Sequence, residues 1–472
     1  MRKTKIVCTL GPATDNYNTL KKLVRAGMNV ARLNMSHGSY EEHLRRIEMV
    51  KKVREELQTP VALLLDTKGP EIRIKTFKDG KITLNEGDEF TLTTGEVVGD
   101  ETRVSVTYED LPRHLKTGDK VLVSDGLIEL EVQSVTSTSV CCRVIDGGEL
   151  TDRKSINLPG ISIDMPYLSE ADKADIRFAV EQDADYLALS FVRSADDVRQ
   201  VKNLITLSGG EGIQIISKIE NRQGVNNVEK ILELSDGIMV ARGDMGVEIP
   251  FEELPHIQKQ LIKKCYKGGK KVITATQMLE SMIHNPRPTR AEISDVANAI
   301  YDGTSAIMLS GETAAGKYPV EAVKTMAKIA ERTESSIDYK KRFYNNDYKA
   351  QNVTDAVSHS TCAAAFDLGA KAIVTVSQSG YTARKVSRFR PECVIISPTT
   401  SKKVYNQLAL NWGVLPTMAA VQETPDALFR HAGHCALNTG LVKEGDLVVL
   451  TGGSEVGKSG NSNVLRIENI HY

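Results

Sequence analysis

A lysine and a glutamate lie two residues apart in the segment IQIISKIE, which is otherwise almost wholly apolar. In a β-strand, Lys218 and Glu220 therefore point to the same side. Such residues are rarely buried without a partner, so one interpretation is a structural ion pair in the core. The other interpretation is catalytic. Lys218 would face a developing negative charge, and Glu220 would bind a cation.

A further carboxylate follows a neighbouring apolar run. Asp244 lies in ARGDMGVEIP, and together with Glu220 it can supply oxygen ligands to Mg²⁺, which takes its other ligands from water and substrate. Each carboxylate alone could instead cap a helix. If a helix begins here, backbone N–H groups at Gly243 and Asp244 can converge on a substrate carboxylate, whereas a plain tight turn is the alternative.

Other polar residues also end apolar runs. An oxygen-rich group with one formal charge ends the second and third runs, and it suits a monovalent cation unless its side chains only cap loops. Its members are Asn34, Ser36, Asp66 and Thr67. The remaining polar residues at run ends are Arg32, Ser190, Arg242 and Thr276.

Eight apolar runs must position these residues. They alternate with segments of helical period, which is the pattern of parallel strands joined by crossover helices. The runs are KIVCTL, MNVARLN, VALLLD, DYLALSF, IQIISKIE, GIMVAR, KVITAT and SAIML. Eight such strands predict a closed (β/α)8 barrel, in which catalytic groups lie at the carboxyl ends of the strands. The polar residues should therefore converge on one rim.

Two further regions depart from this pattern. After the third run, short β-type segments between Gly and Asp turns predict an inserted all-β domain over residues 70–157, placed to act as a lid. The charged stretch YKKRFYNNDYKAQ ends the barrel pattern, and a new alternation of strands and helices follows it. We therefore expect a barrel of residues 1–69 and 158–345 and a C-terminal α/β domain of residues 346–472.

The composition excludes several classes of protein. A chain of 472 residues should form more than one core. The 60 Lys and Arg residues nearly balance the 61 Asp and Glu residues, so no overall field would hold nucleic acid. The seven cysteines lack metal-type spacing and suit a reducing cytoplasm. No run is long enough to span a bilayer, and the N-terminal apolar stretch is too short for a signal peptide. We expect a cytoplasmic protein without membrane or nucleic-acid partners.

Several long segments, in the expected order, resemble pyruvate kinase. They are TKIVCTLGPAT, NVARLNMSHG, LLDTKGPEIR, IISKIENRQG, IMVARGDMGVEIP, ATQMLESMIHNPRPTRAE and IMLSGETAAGKYP. The resemblance spans all three predicted domains and is to the bacterial form without an appended C-terminal domain. It implies transfer of the phosphoryl group of phosphoenolpyruvate to ADP, giving pyruvate and ATP, as the final step of glycolysis. It also implies Mg²⁺ and K⁺ as cofactors and a homotetramer.

The resemblance assigns roles to matching positions. Lys218 would stabilise the transferring phosphoryl and the nascent enolate, with Arg32 and Thr276 as further catalytic groups. Substrate contacts would be Arg32, Ser190, Gly243, Asp244 and Thr276. Nucleotide contacts would be Pro12, Asn34, His37, Arg73 and Lys154. Glu220 and Asp244 would bind magnesium, and Asn34, Ser36, Asp66 and Thr67 would bind potassium, with Glu71 at the family position that accompanies the monovalent cation. Asp125 would reach the site on closure, and a water route near Thr276, Ser310 and Glu312 would protonate the enolate.

The C-terminal domain contains a candidate effector site. In IVTVSQSGYTARK a strand runs into a turn and a predicted helix, so Ser377, Ser379 and Thr382 can offer hydroxyl groups beside free N–H groups, unless the segment is only a structural turn. Lys458 and the Gly-rich loop around it could close over the other end of the ligand. The resemblance adds Arg430 and suggests fructose 1,6-bisphosphate. Because Tyr381 and the long loop GGSEVGKSGNSN differ from the animal form, AMP or a sugar monophosphate remains an alternative.

Three other functions are alternatives to a pyruvate kinase activity. GGSEVGKS has the spacing of a nucleotide-binding P-loop, but that motif requires a following helix, and the remaining chain has the pattern of a strand. A magnesium-dependent barrel lyase acting on phosphoenolpyruvate or oxaloacetate would need no nucleotide, which leaves Arg73, Lys154 and the inserted domain unexplained. A regulatory binding protein on the same fold would be favoured if the lysine and carboxylates of the barrel were missing, and they are present.

Overall fold

The chain begins with three strand and helix units of a barrel. In the computed structural model, which describes residues 1–345, 348–455 and 460–471, each apolar run forms a buried strand followed by a helix. These elements are β1 (Lys5–Thr9), a 3₁₀ turn (Pro12–Thr14), α1 (Tyr17–Ala26), β2 (Val30–Asn34), α2 (Tyr40–Glu56) and β3 (Ala62–Asp66). The second helix begins with a capping box, in which Ser39 and Glu42 satisfy each other's backbone N–H groups.

A β-domain is inserted after the third barrel strand. Its elements are β4 (Ile72–Arg73), β5 (Lys81–Leu84), β6 (Glu89–Thr93), β7 (Arg103–Ser105), α3 (Leu111–His114), β8 (Lys120–Val123), β9 (Ile128–Val135), β10 (Ser139–Asp146), β11 (Gly148–Thr151) and β12 (Ser155–Asn157). Seven strands form one sheet, while β5 and β11 form a separate pair. The first and last strands, β4 and β12, are antiparallel partners, so the chain enters and leaves the domain at one place.

The barrel is completed after the insertion. Its later elements are α4 (Glu170–Glu181), β13 (Tyr186–Leu189), α5 (Ala195–Leu207), β14 (Gln214–Ile219), α6 (Arg222–Asn226), α7 (Val228–Leu234), β15 (Gly237–Ala241), α8 (Arg242–Glu248), a 3₁₀ turn (Phe251–Glu253), α9 (Leu254–Gly268), β16 (Lys271–Ala275), a 3₁₀ turn (Glu280–Ile283), α10 (Arg290–Asp302), β17 (Ala306–Leu309), α11 (Gly311–Ala314) and α12 (Pro319–Glu334). The strands close in the order β1-β17-β16-β15-β14-β13-β3-β2, which confirms the predicted barrel. β3 pairs directly with β13 across the insertion.

The C-terminal part forms a separate α/β layer structure. Its elements are α13 (Tyr339–Tyr344), α14 (Val353–Leu368), β18 (Ala372–Val376), α15 (Tyr381–Ser387), β19 (Val394–Thr399), α16 (Lys402–Gln407), a 3₁₀ turn (Leu408–Leu410), β20 (Val414–Met418), α17 (Pro425–Asn438), β21 (Leu447–Gly452) and β22 (Val464–Asn469). The strand order is β20-β19-β18-β21-β22, and β22 is antiparallel to β21. This confirms the predicted α/β class of the region.

The interior of the barrel is built in layers because alternate residues of each strand point inward. The middle layer is apolar and includes Val7, Leu64 and Ile216. At the carboxyl ends of the strands the inward residues are polar and form the candidate site. At the opposite end, Ala409 and Leu410 of the C-terminal domain pack into the same interior cluster and close the base of the barrel.

Among the residues that the structure describes, no helix is long and apolar enough to cross a lipid bilayer.

The buried Lys5 at the base of the barrel should make stability depend on pH. Its Nζ donates to the carbonyl oxygen of Val414 at 2.7 Å. Burial and the nearby Arg2 lower the pKa of Lys5 to about 7, although Glu334 opposes the shift. Between that pKa and the ordinary value for lysine, the unfolded state binds more protons than the native state. The free energy of unfolding should therefore rise with pH in this window.

Replacing the lysine tests this expectation. In Lys5→Met the slope of the unfolding free energy against pH, measured by denaturant titration from pH 7 to pH 9, should fall by up to about 1.4 kcal/mol per pH unit. Lys22→Met, at an exposed position, is the control and should keep the original slope. Parallel curves for the wild type and Lys5→Met would contradict the expectation.

Candidate active site

A buried lysine lies among carboxylates at the carboxyl ends of the barrel strands. The Nζ of Lys218 lies 3.0 Å from Oε1 of Glu220 and 3.3 Å from Oδ1 of Asp66. It also donates a hydrogen bond to Oγ of Ser190 at 2.7 Å. Asp66 is paired in addition with Arg32, whose Nε lies 2.6 Å from Oδ2. The structure therefore brings together polar ends of four strands that are distant in sequence.

The charge balance of this cluster is uneven. Burial alone would raise the pKa of Asp66, but Arg32 and Lys218 hold it below its ordinary value. Burial opposes the charge on Lys218, yet Asp66 and Glu220 keep its pKa above the ordinary value. Glu220 is affected differently. Burial and the nearby Asp244 outweigh Lys218 and raise the pKa of Glu220 to about 8. The cluster thus has more carboxylates than cationic partners.

A strained turn holds Glu220 in place. Phe191, directly after Ser190, has a φ of 54°, a left-handed conformation that is costly for a residue with a side chain. In this conformation its backbone N–H donates to Oε2 of Glu220 at 2.5 Å. The side chain of Ser190 donates to the carbonyl oxygen of Thr67 at 2.6 Å. The turn therefore fixes both the glutamate and the hydroxyl group that accepts from Lys218.

The carboxylates fit a divalent cation. Oε1 of Glu220 is completely buried and accepts no hydrogen bond from the described residues, so its only close partner there is the ammonium of Lys218. In the described part of the chain, no three His, Cys, Asp or Glu side chains come together as a metal site. Two carboxylates are nevertheless the usual protein contribution to Mg²⁺, which retains water and substrate ligands. Glu220 and Asp244 match that donor set.

Thr276 and Gly243 lie on neighbouring strand ends and contact each other. The backbone N–H of Gly243 donates to Oγ1 of Thr276 at 2.9 Å. Thr276 has a φ of 70°, which is unfavourable for a β-branched residue. Arg242 stabilises this geometry, because its Nη2 donates to the carbonyl oxygen of Thr276 at 2.5 Å while its Nη1 contacts both carboxylate oxygens of Asp295. Asp244 lies in the first turn of the helix that Arg242 begins.

The predicted potassium ligands lie at two paired strand ends. Asn34 and Asp66 are partners in the register of β2 and β3. Oδ1 of Asn34 accepts from the N–H of Ser36 at 3.2 Å, and Thr67 follows Asp66 directly. Glu71 forms an ion pair with Arg73 at 2.6 Å, so a residue predicted to accompany the cation contacts one predicted to bind the nucleotide.

A cavity of about 660 Å³ opens between the barrel mouth and the inserted domain. Its wall contains predicted site residues from both domains, namely His37, Glu71, Arg73, Asp125, Lys154 and Asp244. Phe191 and Asn221, the neighbours of Ser190 and Glu220, also line it. Pro12 lies exposed at the start of the 3₁₀ turn after β1. The cavity therefore leads from the surface to the charged cluster.

Two basic residues of the cavity wall were missed by the sequence analysis. Arg193 donates to the carbonyl oxygens of Ile163 and Met165 at 3.1 and 2.8 Å, and so holds the segment that returns from the inserted domain. Arg222 pairs with Glu253 at 2.7 Å. Both follow a strand end by a few residues, so a search of the residues after each run for basic side chains would have found them.

Two residues of the suggested proton route, Ser310 and Glu312, have buried side-chain oxygens. Oγ of Ser310 is buried without a hydrogen-bond partner among the described residues. Glu312 is buried, which raises its pKa, and it accepts from the N–H groups of Ser310 and Leu279 at 2.7 and 3.0 Å. Glu312 thus ties the loop that begins at Thr276 to the next strand end.

The candidate effector residues do not all line the same cavity. Ser377 lines a cavity of about 80 Å³ at the carboxyl ends of the C-terminal strands. Oγ1 of Thr382 is engaged with Oγ of Ser462 at 2.6 Å, and the carbonyl oxygen of Ser379 accepts from Arg384 at 2.8 Å. Arg430 is exposed on α17, and Lys458 lies outside the described residues. The strand β22, rather than a helix, follows the P-loop-like motif.

The chain is similar to known proteins over almost its whole length. The sequence profile of the pyruvate kinase barrel domain matches residues 1–323, and that of the pyruvate kinase alpha/beta domain matches residues 355–468. The chain is 48% identical over 470 residues to the pyruvate kinase of Clostridium acetobutylicum, with 99% of each chain covered. It is 49% identical to the pyruvate kinases of Staphylococcus epidermidis and Geobacillus stearothermophilus, covering 99% of this chain and 80% of each relative.

Proposed function

The chain belongs to the pyruvate kinase family and is a phosphotransferase, and from this premise we propose that the barrel mouth transfers the phosphoryl group of phosphoenolpyruvate to ADP. The observation that carries the proposal is the buried, positively charged Lys218 among Asp66, Glu220 and Ser190. Phosphoryl transfer depends on positioning and charge neutralisation more than on covalent catalysis. A preorganised cation in a largely buried site supplies both.

Different residues of the chain would bind, orient and stabilise the reacting groups during phosphoryl transfer. Lys218 donates hydrogen bonds to the transferring phosphoryl and to the enolate oxygen that is left behind. Arg32 contacts the substrate phosphate, and Thr276 and Gly243 orient the substrate. Glu220 and Asp244 would bind Mg²⁺, which would neutralise charge on the phosphoryl oxygens. The nucleotide would bind in the large cavity beside His37, Arg73 and Lys154, with Pro12 and Asn34 at its border. Closure of the inserted domain would exclude water.

Pyruvate formation tests the reaction directly. Purified protein with phosphoenolpyruvate, Mg²⁺ and K⁺ should form pyruvate and ATP in equal amounts when ADP is added, and little pyruvate without ADP. ADP-independent release of pyruvate would instead support a lyase. The absence of any turnover under these conditions would contradict an enzymatic role.

Lys218→Met should remove the preorganised positive charge. We expect kcat to fall by at least about a hundredfold, the scale for the loss of one electrostatic group in a transition state. The KM for phosphoenolpyruvate should change much less, because the loss affects mainly the developing charge. Lys263→Met, at an exposed position, is the control. Wild-type kcat in a folded Lys218→Met variant would contradict the proposed catalytic role of Lys218.

We also propose that activity requires K⁺, with Asn34, Ser36, Asp66 and Thr67 as ligands. The support is the oxygen-rich pair of strand ends and the position of Glu71. Glu71→Lys places an ammonium where the monovalent cation would contribute its charge, and it should reduce the ratio of activity with K⁺ to activity without it. Because the variant also breaks the contact with Arg73, the KM for ADP must be measured at both K⁺ levels.

Exposed Glu86→Lys is a matched charge control and should retain the full K⁺ requirement. Full wild-type activity in buffer free of potassium, sodium and ammonium would contradict the potassium proposal.

A regulatory ligand site in the C-terminal domain is a further part of the proposal. The cavity lined by Ser377 lies beside the strands β18 and β21, where the strand order reverses, and ligands of open α/β sheets commonly bind at such points. We propose a phosphorylated effector there, either a sugar phosphate or AMP, with Ser379, Thr382, Arg430 and Lys458 as further candidate contacts.

The effector proposal is tested by the phosphoenolpyruvate saturation curve. A bound effector should lower the apparent KM by about 5- to 150-fold, the usual range of allosteric coupling. Ser377→Asp should abolish that shift by repelling phosphate while basal activity remains. Ser401→Asp, at a helix N-cap outside the cavity wall, is the control. If fructose 1,6-bisphosphate, a sugar monophosphate and AMP all leave the curve unchanged, the effector proposal is wrong.

We further propose that the enzyme acts as a homotetramer in the cytoplasm. The tetramer rests on the family resemblance. The seven cysteines are all free, and they suit a reducing compartment. Light scattering of the purified protein would measure the assembly.

A further inference from the structure

One side chain of the C-terminal domain bridges the starts of two barrel strands. Gln407, the last residue of α16, is buried at the base of the barrel. Its side-chain nitrogen donates to the carbonyl oxygens of Gly212 and Asp185 at 2.6 and 3.1 Å. Asp185 directly precedes β13, and Gly212 lies two residues before β14.

The same residue also contacts the first residue of each strand. The backbone carbonyl oxygen of Gln407 accepts from the hydroxyl group of Tyr186 at 2.6 Å. Its side-chain oxygen accepts a hydrogen bond from the side-chain nitrogen Nε2 of Gln214 at 3.1 Å. Gln214 in turn accepts from Nζ of Lys271 at 2.7 Å, which extends the network to the start of β16. Every side-chain donor of Gln407 is therefore used at the base of the barrel.

The two strands held by Gln407 are the two that Lys218 connects at their other ends. Gln214 and Lys218 are four residues apart and face inward on β14, and Tyr186 and Ser190 have the same spacing on β13 and its end. The bond between Lys218 and Ser190 is thus roughly 13 Å from the Gln407 contacts, measured along the strands. Adjacent strands that are fixed at both ends cannot slide without breaking one of these contacts.

We propose that Gln407 is a positioning residue for Lys218, which acts by fixing the register and tilt of β13 and β14 from below. This inference rests on the proposed phosphoryl transfer. Gln407 touches no reacting atom. Its effect reaches the site through two short strands that are buried except at Gln214, and their close packing allows few intermediate arrangements. Loss of its side chain leaves the side-chain NH2 group of Gln214 and the carbonyl oxygen of Gly212 without these partners, so the strand starts would shift to find new ones. The carbonyl oxygen of Asp185 loses one of two donors and keeps the backbone N–H of Gln214.

The test is Gln407→Met, which keeps the length of the side chain and removes its hydrogen bonds. We expect kcat to fall by about tenfold to a hundredfold, the scale for a misplacement of about 1 Å at the site, while the KM for phosphoenolpyruvate and for ADP stays within about twofold. Tyr405→Phe is the matched control. It removes a bond of 3.1 Å from the same helix to the carbonyl oxygen of Gln58, which lies in the loop after α2.

A double-mutant cycle with Ser190→Ala identifies the route of the effect. If Gln407 acts through the contact between Lys218 and Ser190, the losses in kcat from Gln407→Met and Ser190→Ala should be less than additive, whereas Tyr405→Phe and Ser190→Ala should be additive. A near-wild-type kcat for Gln407→Met, additive losses, or an equal loss in Tyr405→Phe would overturn the proposal.

Hydrogen exchange gives a second measurement that does not depend on activity. In Gln407→Met the amides of β13 and β14 should exchange faster than in the wild type, while those of β2 should not change. Unchanged exchange rates in β13 and β14, or an equal increase in all barrel strands, would overturn the positioning role. If the wild-type enzyme fails to transfer phosphoryl groups although exchange responds as expected, the proposed function fails and the mechanical coupling between domains stands.

Discussion

The barrel mouth depends on the pairing of one buried ammonium with several carboxylates. Lys218 can remain charged inside the protein only because Asp66 and Glu220 lie within about one hydrogen-bond length, and removal of one partner of such a pair typically costs about 3–5 kcal/mol. The carboxylates in turn constrain the strands that carry them. The arrangement therefore both holds a positive charge at the barrel mouth and constrains how the strands meet.

Much of this arrangement follows from local patterns in the sequence. The eight apolar runs became the eight barrel strands, and the spacing of Lys218 and Glu220 correctly placed both on the inner face. The sequence predicts the C-terminal strands AIVTVS, CVIIS, DLVVLTG and NVLRIE. The edge strand β20 is not among them because Pro416 interrupts its apolar pattern, although proline is tolerated at a sheet edge. In the inserted domain the sequence predicts the strand segments IRIKTF, KITL, EFTLTT, RVSVTY and KVLV, and the hairpin of β9 and β10 is not among them. The alternation of apolar and polar residues in IELEV is itself a signal of a half-buried strand, so the sequence contains enough information to predict β9. The pairing of β9 with β10 is visible only in the folded domain.

The remaining features of the site depend on contacts between distant parts of the chain. The bond from Lys218 to Ser190, the left-handed turn at Phe191 and the pairing of Arg242 with Asp295 have no local sequence signal. The role of Gln407 is a stronger example. Its partners lie near the starts of strands more than a hundred residues earlier in the chain, so only the docking of the two domains reveals them. Family resemblance names residues that touch substrate, but it does not identify residues that hold the strands from the opposite end.

The way the inserted domain is connected to the barrel allows that domain to change independently during evolution. Its two connections lie side by side as β4 and β12, and β3 bonds directly to β13, so the hydrogen-bonded ring of the barrel includes no residue of the insertion. A lineage can therefore lengthen, shorten or exchange that domain without repairing the barrel, as is general for insertions whose ends are adjacent. Selection can therefore act on the inserted domain separately from the barrel.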